Sequence, residues 1–237
     1  MPTEPRFAVI LLTAPPPAAD TAGENKGPFT KVDGRECLLR AAELFVNRSE
    51  IVQILTTFPA AEAEEARRRF GNHLAFSGVK IGEPADGWYT QLKALAERLE
   101  EGVTHILVHD AARPAVAIPD LDGLLAVANE HPEAPAALSA TLEQGLVEVD
   151  GEGRPIGYRP ADAFVLLLWP RLYPKALVTP LSEGEEPSAD RLRLVPGMAL
   201  NVRCNGPADA RRVAAMIKLL PEPKREGPLS PFDEARW

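Results

Sequence analysis

Phe7-Ala8-Val9-Ile10-Leu11-Leu12 is an unbroken apolar run near the start of the chain. A strand with one wet face alternates apolar and polar residues. A run without that alternation, and with β-branched members, marks a strand covered on both faces, as in a parallel sheet. After a proline-rich loop, Leu38, Leu39, Ala41, Ala42 and Phe45 recur at helical spacing, and residues 51–56 form a second β-rich run. Strand, helix and strand in that order make one parallel crossover unit.

The rhythm then repeats. Residues 60–70 read as a charged helix closed by Gly71, which without a Cβ can take the left-handed helix-ending conformation. A strand is expected within residues 74–81, a helix over 88–99 ended by Gly102, and the most apolar central strand over 105–109. Residues 141–158 break the pattern: 146–149, a Gly151-Glu152-Gly153 turn and 156–158 read as a β-hairpin. Strand character returns over 163–168 and 192–195, and Asn205-Gly206-Pro207 open a last helix that runs to residue 220. The expected fold is α/β: a single Rossmann-like three-layer domain over residues 1–220, with a mostly parallel sheet and helices on both faces. A β-hairpin arm projects at 141–158, and a flexible tail covers 221–237.

Composition narrows the function classes. The chain has 237 residues, 45% of them hydrophobic, enough for one large core. A formal net charge of -8 leaves no basic surplus to neutralise a nucleic-acid backbone or an anionic membrane, so neither is expected as a partner. Cys37 and Cys204 lie far apart in sequence without metal-ligand spacing. Neither a disulfide framework nor a zinc site is indicated, and the reduced thiols of a cytoplasmic protein are expected. The apolar run over residues 7–12 is too short to span a bilayer and follows Glu4 rather than a positively charged leader, so no export or anchoring signal is read.

Val108-His109-Asp110-Ala111-Ala112-Arg113-Pro114 stands where the central strand ends. Ligands of open α/β sheets bind beyond the carboxyl ends of the strands. An aspartate there can hold the magnesium of a nucleoside triphosphate, and an arginine nearby can grip a phosphate through two parallel bonds. The same two side chains can instead bridge each other within a turn. His109 reads as a packed strand residue, since no acid or nucleophile stands beside it. Trp88 and Tyr89 read as the opening of an amphipathic helix against the core, and the acidic run over 183–186 as a solvated loop.

The heptapeptide over 108–114 resembles the signature of the 2-C-methyl-D-erythritol 4-phosphate cytidylyltransferases, which transfer CMP from CTP to a sugar-alcohol phosphate. Gly197, Asn201-Val202-Arg203-Cys204-Asn205, Pro207 and Asp209 are similar, with spacing kept, to the family's glycine, asparagine-isoleucine-lysine-x-threonine and proline-x-aspartate segment. Asn201 matches; Arg203 stands where the family has a catalytic lysine, and Asn205 where it has threonine. Phe29, Val32 and Gly34 resemble the stretch after a family lysine, which by glycine spacing falls on Gly27, one residue from Lys26. Thr90, followed by Leu92 and Leu95, resembles the serine that opens the nucleotide-contacting helix. The resemblance spans residues 7–220. It implies Asp110, Arg113, Arg203 and Lys26 as catalytic residues, and Ala14, Thr90 and Ala111 as nucleotide contacts. It further implies Asp110 as a ligand of Mg2+, with CTP or another nucleotide and a small phosphorylated compound as substrates, and a homodimer assembled through the hairpin arm.

Three departures set this chain apart from that family. Its first loop reads Thr13-Ala14-Pro15-Pro16-Pro17-Ala18 where the family has a glycine-rich, arginine-ended loop that wraps the triphosphate. Three prolines remove three backbone donors, and alanine replaces the arginine. In the arm, Thr141, Glu143 and Gln144 stand where the family carries threonine and a lysine-arginine pair, and Trp169, Pro170 and Arg171 are a displaced match to a further family segment. A cation that stabilises phosphoryl-transfer charge is worth roughly 10³ to 10⁵ in rate. Arg203 keeps a positive charge but not a lysine's geometry. Two expectations follow: a cytidylyltransferase-like enzyme impaired by loss of the loop, or a non-catalytic member that binds a ligand or protein. Convergence of Arg203 and Lys26 on Asp110 separates them.

Overall fold

A computed structural model describes residues 4–17, 26–143 and 145–222. The chain opens with β1 (Phe7–Leu12), a small ribbon of β2 (Lys31–Val32) and β3 (Arg35–Glu36), and α1 (Cys37–Glu43). Then come β4 (Ile51–Thr56), α2 (Ala63–Phe76), β5 (Val79–Ile81), α3 (Trp88–Ala96) and β6 (His105–Asp110). The second half holds α4 (Ile118–Glu130), β7 (Ala136–Thr141), a hairpin of β8 (Leu146–Val149) and β9 (Pro155–Arg159), and β10 (Val165–Pro174). It ends with α5 (Val178–Ser182), β11 (Arg193–Pro196) and α6 (Ala210–Lys218).

One seven-stranded sheet runs in the order β11-β7-β10-β6-β1-β4-β5. All neighbours are parallel except β10, which runs antiparallel to both β6 and β7. Every residue of β1 is buried, as its unbroken apolar run requires. Phe7, Val9 and Leu11 pack on one side with Leu38, Phe70 and Leu124 from α1, α2 and α4. Ala8, Ile10 and Leu12 pack on the other with Trp88, Leu92, Val178 and Leu181 from α3 and α5. The result is the expected helix-sheet-helix layering with the hairpin standing apart as its own two-stranded sheet. No helix among the described residues is long and apolar enough to cross a membrane.

Several boundaries differ from the sequence reading. Helix α2 continues through Gly71 because Phe70 and Leu74, one turn apart, keep the buried stripe going. Gly71 lies on its outer side, where an added Cβ would meet nothing. The left-handed residue that ends this helix is Gly78, at φ 72°, so β5 is only the short remainder Val79–Ile81. Helix α3 stops at Ala96, and β10 extends to Pro174. The sequence reading does not include α4, β7, the short β2–β3 ribbon or α5. Helix α4 has Pro119 in its first turn and buries Leu121, Leu124, Leu125 and Ala128. Strand β7, Ala-Ala-Leu-Ser-Ala-Thr, has little strand preference of its own and is extended because β10 and β11 pair with its two edges. Apart from Pro221 and Glu222, the expected tail lies outside the described residues, as do Ala18 and Gln144.

Candidate functional site

Strand β6 ends on Asp110, whose side chain is wholly buried. Its Oδ1 accepts the Ala112 N–H at 3.0 Å, which folds the chain sharply after the strand. Its Oδ2 accepts two guanidinium donors, Arg113 Nε at 3.2 Å and Arg203 Nε at 2.9 Å. Each arginine is held at a second point. Arg113 Nη1 donates to the Asn201 carbonyl at 2.8 Å, and Arg203 Nη1 donates to Asn205 Oδ1 at 2.6 Å. Asn201 Nδ2 in turn donates to the Trp169 carbonyl. The Cys204 N–H donates to the Ala112 carbonyl at 2.9 Å, joining the segment before α6 to the loop after β6. Gly27 completes the seam: a Cβ there would lie 2.0 Å from the Cys204 carbonyl oxygen, so only glycine allows this approach.

The expected bridge between Asp110 and Arg113 is thus present, with Arg203 as a third member. One carboxylate faces two guanidiniums inside the protein. Burial lowers the pKa of Arg113, Asp110 opposes that shift, and the charges of Arg203 and Arg171 add to it. This geometry does not fit the magnesium role expected of Asp110. Both of its oxygens are engaged, and a dication beside two guanidiniums would meet like charge. No cluster of three or more His, Cys, Asp or Glu side chains able to hold a metal occurs among the described residues.

The other expected contacts are arranged differently. Lys26 does not join Asp110; it lines a cavity of about 530 Å³ with Phe29, Lys31, Glu62, Arg69 and Phe70. The Ala111 N–H donates to the Leu12 carbonyl at 2.9 Å, an ordinary sheet-end bond. Thr90 is exposed on α3. Its neighbour Gln91, absent from the sequence reading, is fully buried and reaches the first loop. Gln91 Oε1 accepts both the Thr13 and the Ala14 N–H, each at 3.0 Å, and Gln91 Nε2 donates to the Ala85 carbonyl at 3.0 Å. A signal existed: Gln91 sits three residues after Trp88 and four before Leu95, a polar residue on a helix's apolar stripe. Cys37 and Cys204, distant in sequence, meet in the core, where the neighbouring Cys204 and burial raise the pKa of the Cys37 thiol.

No protein-family model matches the chain. It is 26% identical over 213 residues, 80% of this chain and 86% of the relative, to the 2-C-methyl-D-erythritol 4-phosphate cytidylyltransferase of Rhodopirellula baltica. The chain is similar in sequence and in fold to the methylerythritol phosphate cytidylyltransferases. The cytidylyltransferase-like fold is seen directly in solved structures. That of 4-diphosphocytidyl-2C-methyl-D-erythritol synthase from Anaerococcus prevotii matches with a TM-score of 0.73 at 13% identity, covering 90% of this chain and 99% of that one. The 2-C-methyl-D-erythritol 4-phosphate cytidylyltransferase of Thermus thermophilus matches with a TM-score of 0.64 at 21% identity, covering 89% and 98%.

Within this cytidylyltransferase-like fold, His109 lies beneath the site rather than in it. Its Nε2–H donates to the Arg113 carbonyl at 3.0 Å, its Nδ1 is buried without a partner among the described residues, and Phe45 packs edge-on at 5.6 Å. Burial pushes its pKa down to about 3. An unfolded chain protonates this imidazole near 6.5, so between pH 6.5 and 3 the unfolded state binds more protons. The contribution is complete above pH 6.5 and is lost as pH falls toward 3, by at most about 1.4 kcal/mol per pH unit. Urea unfolding across that window is expected to show a shallower loss in a His109→Gln variant, which cannot titrate. Equal slopes for the two proteins would refute this role.

Proposed function

We propose that the chain is a cytidylyltransferase-like protein of isoprenoid-precursor synthesis that has kept the strand-end phosphate site and lost the first loop's hold on the triphosphate. The observation that carries this reading is the Asp110 cluster: at the end of β6, in that family's fold, a buried carboxylate fixes Arg113 and Arg203 side by side. Two guanidiniums held by one carboxylate leave a net positive charge suited to phosphate oxygens. In the reaction, a phosphate oxygen of the sugar-alcohol phosphate attacks the α-phosphorus of CTP in line, the new O–P bond forms, and pyrophosphate leaves with the electrons of the broken bond. Arg113 and Arg203 orient the acceptor phosphate and offset developing charge.

The second reading, a non-catalytic member that binds a ligand, is favoured by the first loop. The N–H groups of Thr13 and Ala14 are taken by Gln91, residues 15–17 have none, and Lys26 is not at Asp110. Pyrophosphate release, measured with each nucleoside triphosphate and methylerythritol phosphate, decides between them. Slow release specific to CTP supports the impaired enzyme; release with no nucleotide overturns it in favour of the binding module.

We also assign the hairpin to homodimer assembly. Val147, Val149, Ile156 and Tyr158 are 47 to 89% exposed on it, an apolar ribbon that a second copy would cover. Light scattering at micromolar concentration is expected to give twice the chain mass, and a monomer mass would refute the assignment.

A further inference from the structure

Strand β10 lies antiparallel beside β6, with Arg171 directly opposite Val108. Trp169 and Tyr173 belong to the face covered by α3 and α5, as do Ile106 and Val108, so alternation places Arg171 and Asp110 on that face as well. Asp110 is therefore the diagonal cross-strand neighbour of Arg171, a spacing of about 7–8 Å that long side chains bridge. The mutual effect of the Arg171 and Arg113 charges agrees with this proximity.

The guanidinium of Arg171 is positioned but incompletely used. It lies over the Trp169 ring, 4.4 Å from the centroid, a contact that orients the planar fork and leaves its edge available. Among the described residues, no group accepts from its buried Nε. Its Nη1 meets Glu186 Oε1 at 3.5 Å, a long contact to a side chain that is 57% exposed, with the Tyr173 hydroxyl against the same pair. Nearby, the buried Asn201 has an Oδ1 that also lacks a partner among the described residues. Three arginines thus gather around Asp110 in a chain whose net charge is -8, and among the described residues the third has only the long contact to Glu186 as a carboxylate partner.

We propose that Arg171, with Arg113, forms an oxyanion subsite at the carboxyl end of β6, beside the middle of β10, that takes the phosphate of a phosphomonoester, displacing Glu186. The proposal deepens the functional reading above and rests on it for the nature of the acceptor, yet phosphate binding tests it without turnover. Calorimetric titration with inorganic phosphate and with methylerythritol phosphate is expected to show affinity at least about tenfold weaker in Arg171→Gln, the loss of about one charge-assisted bond. Arg171→Lys should recover only part of it, because a lysine lacks the fork. Glu186→Gln should bind phosphate more tightly than the unaltered chain, since the competing carboxylate is gone. A thermal midpoint shared by Arg171→Gln and the unaltered protein identifies the loss as one of contact rather than folding. The subsite is overturned by equal phosphate affinity in Arg171→Gln and the unaltered chain, by weaker binding in Glu186→Gln, or by no binding at about 10 mM ligand. Absence of pyrophosphate release alongside Arg171-dependent phosphate binding would overturn the transferase reading and leave the subsite standing.

Discussion

Replacing Asp110 with alanine is expected to lower the unfolding free energy by about 3–5 kcal/mol, because it leaves buried guanidiniums without their counter-charge. The Asp110 side chain is wholly buried and those of Arg203 and Arg113 are 6% and 21% exposed, so water replaces the lost carboxylate only in part. The Ala112 N–H loses its acceptor in the same step. Urea denaturation of Asp110→Ala against the unaltered chain measures the loss. Combining Asp110→Ala with Arg203→Met should cost less than the two single changes added, since the charge left stranded by the first is removed by the second. A loss below about 1 kcal/mol for Asp110→Ala would put the cluster in the class of screened surface pairs and remove its structural role.

Calorimetry of the unaltered chain is expected to detect negligible CTP binding at millimolar nucleotide. A triphosphate loop works by presenting successive backbone N–H groups to phosphate oxygens. Here Pro15, Pro16 and Pro17 have no N–H, and the two donors before them point at Gln91 Oε1. Each missing charge-assisted bond costs about 1.5–3 kcal/mol, so two or three lower affinity by several powers of ten. Changing Pro15 and Pro17 to glycine and Ala18 to arginine is expected to raise CTP affinity. Adding Gln91→Val, which frees the Thr13 and Ala14 donors, should raise it further. Tight CTP binding by the unaltered chain would mean that the phosphates are held elsewhere and would remove the main support for impaired transfer.

What the sequence determined by itself follows from short-range chemistry. The unbroken run of β1, the helical spacing in α1 and α3, the Gly151-Glu152-Gly153 turn and the placement of Asp110 at a strand end are encoded in neighbouring residues. The prolines of the first loop are equally local, because a missing N–H needs no partner to be recognised. What lay beyond reach depends on distant groups. Strand β7 exists through its two neighbours, and Gly71 stays helical because Leu74 finds the core. Only the tertiary structure decided that Gln91, 78 residues away, occupies the Thr13 donor, that Arg203 and not Lys26 joins Asp110, and that Arg171 faces the same crevice. Side-chain direction across a sheet depends on register, and register is set by pairing between segments far apart in the chain.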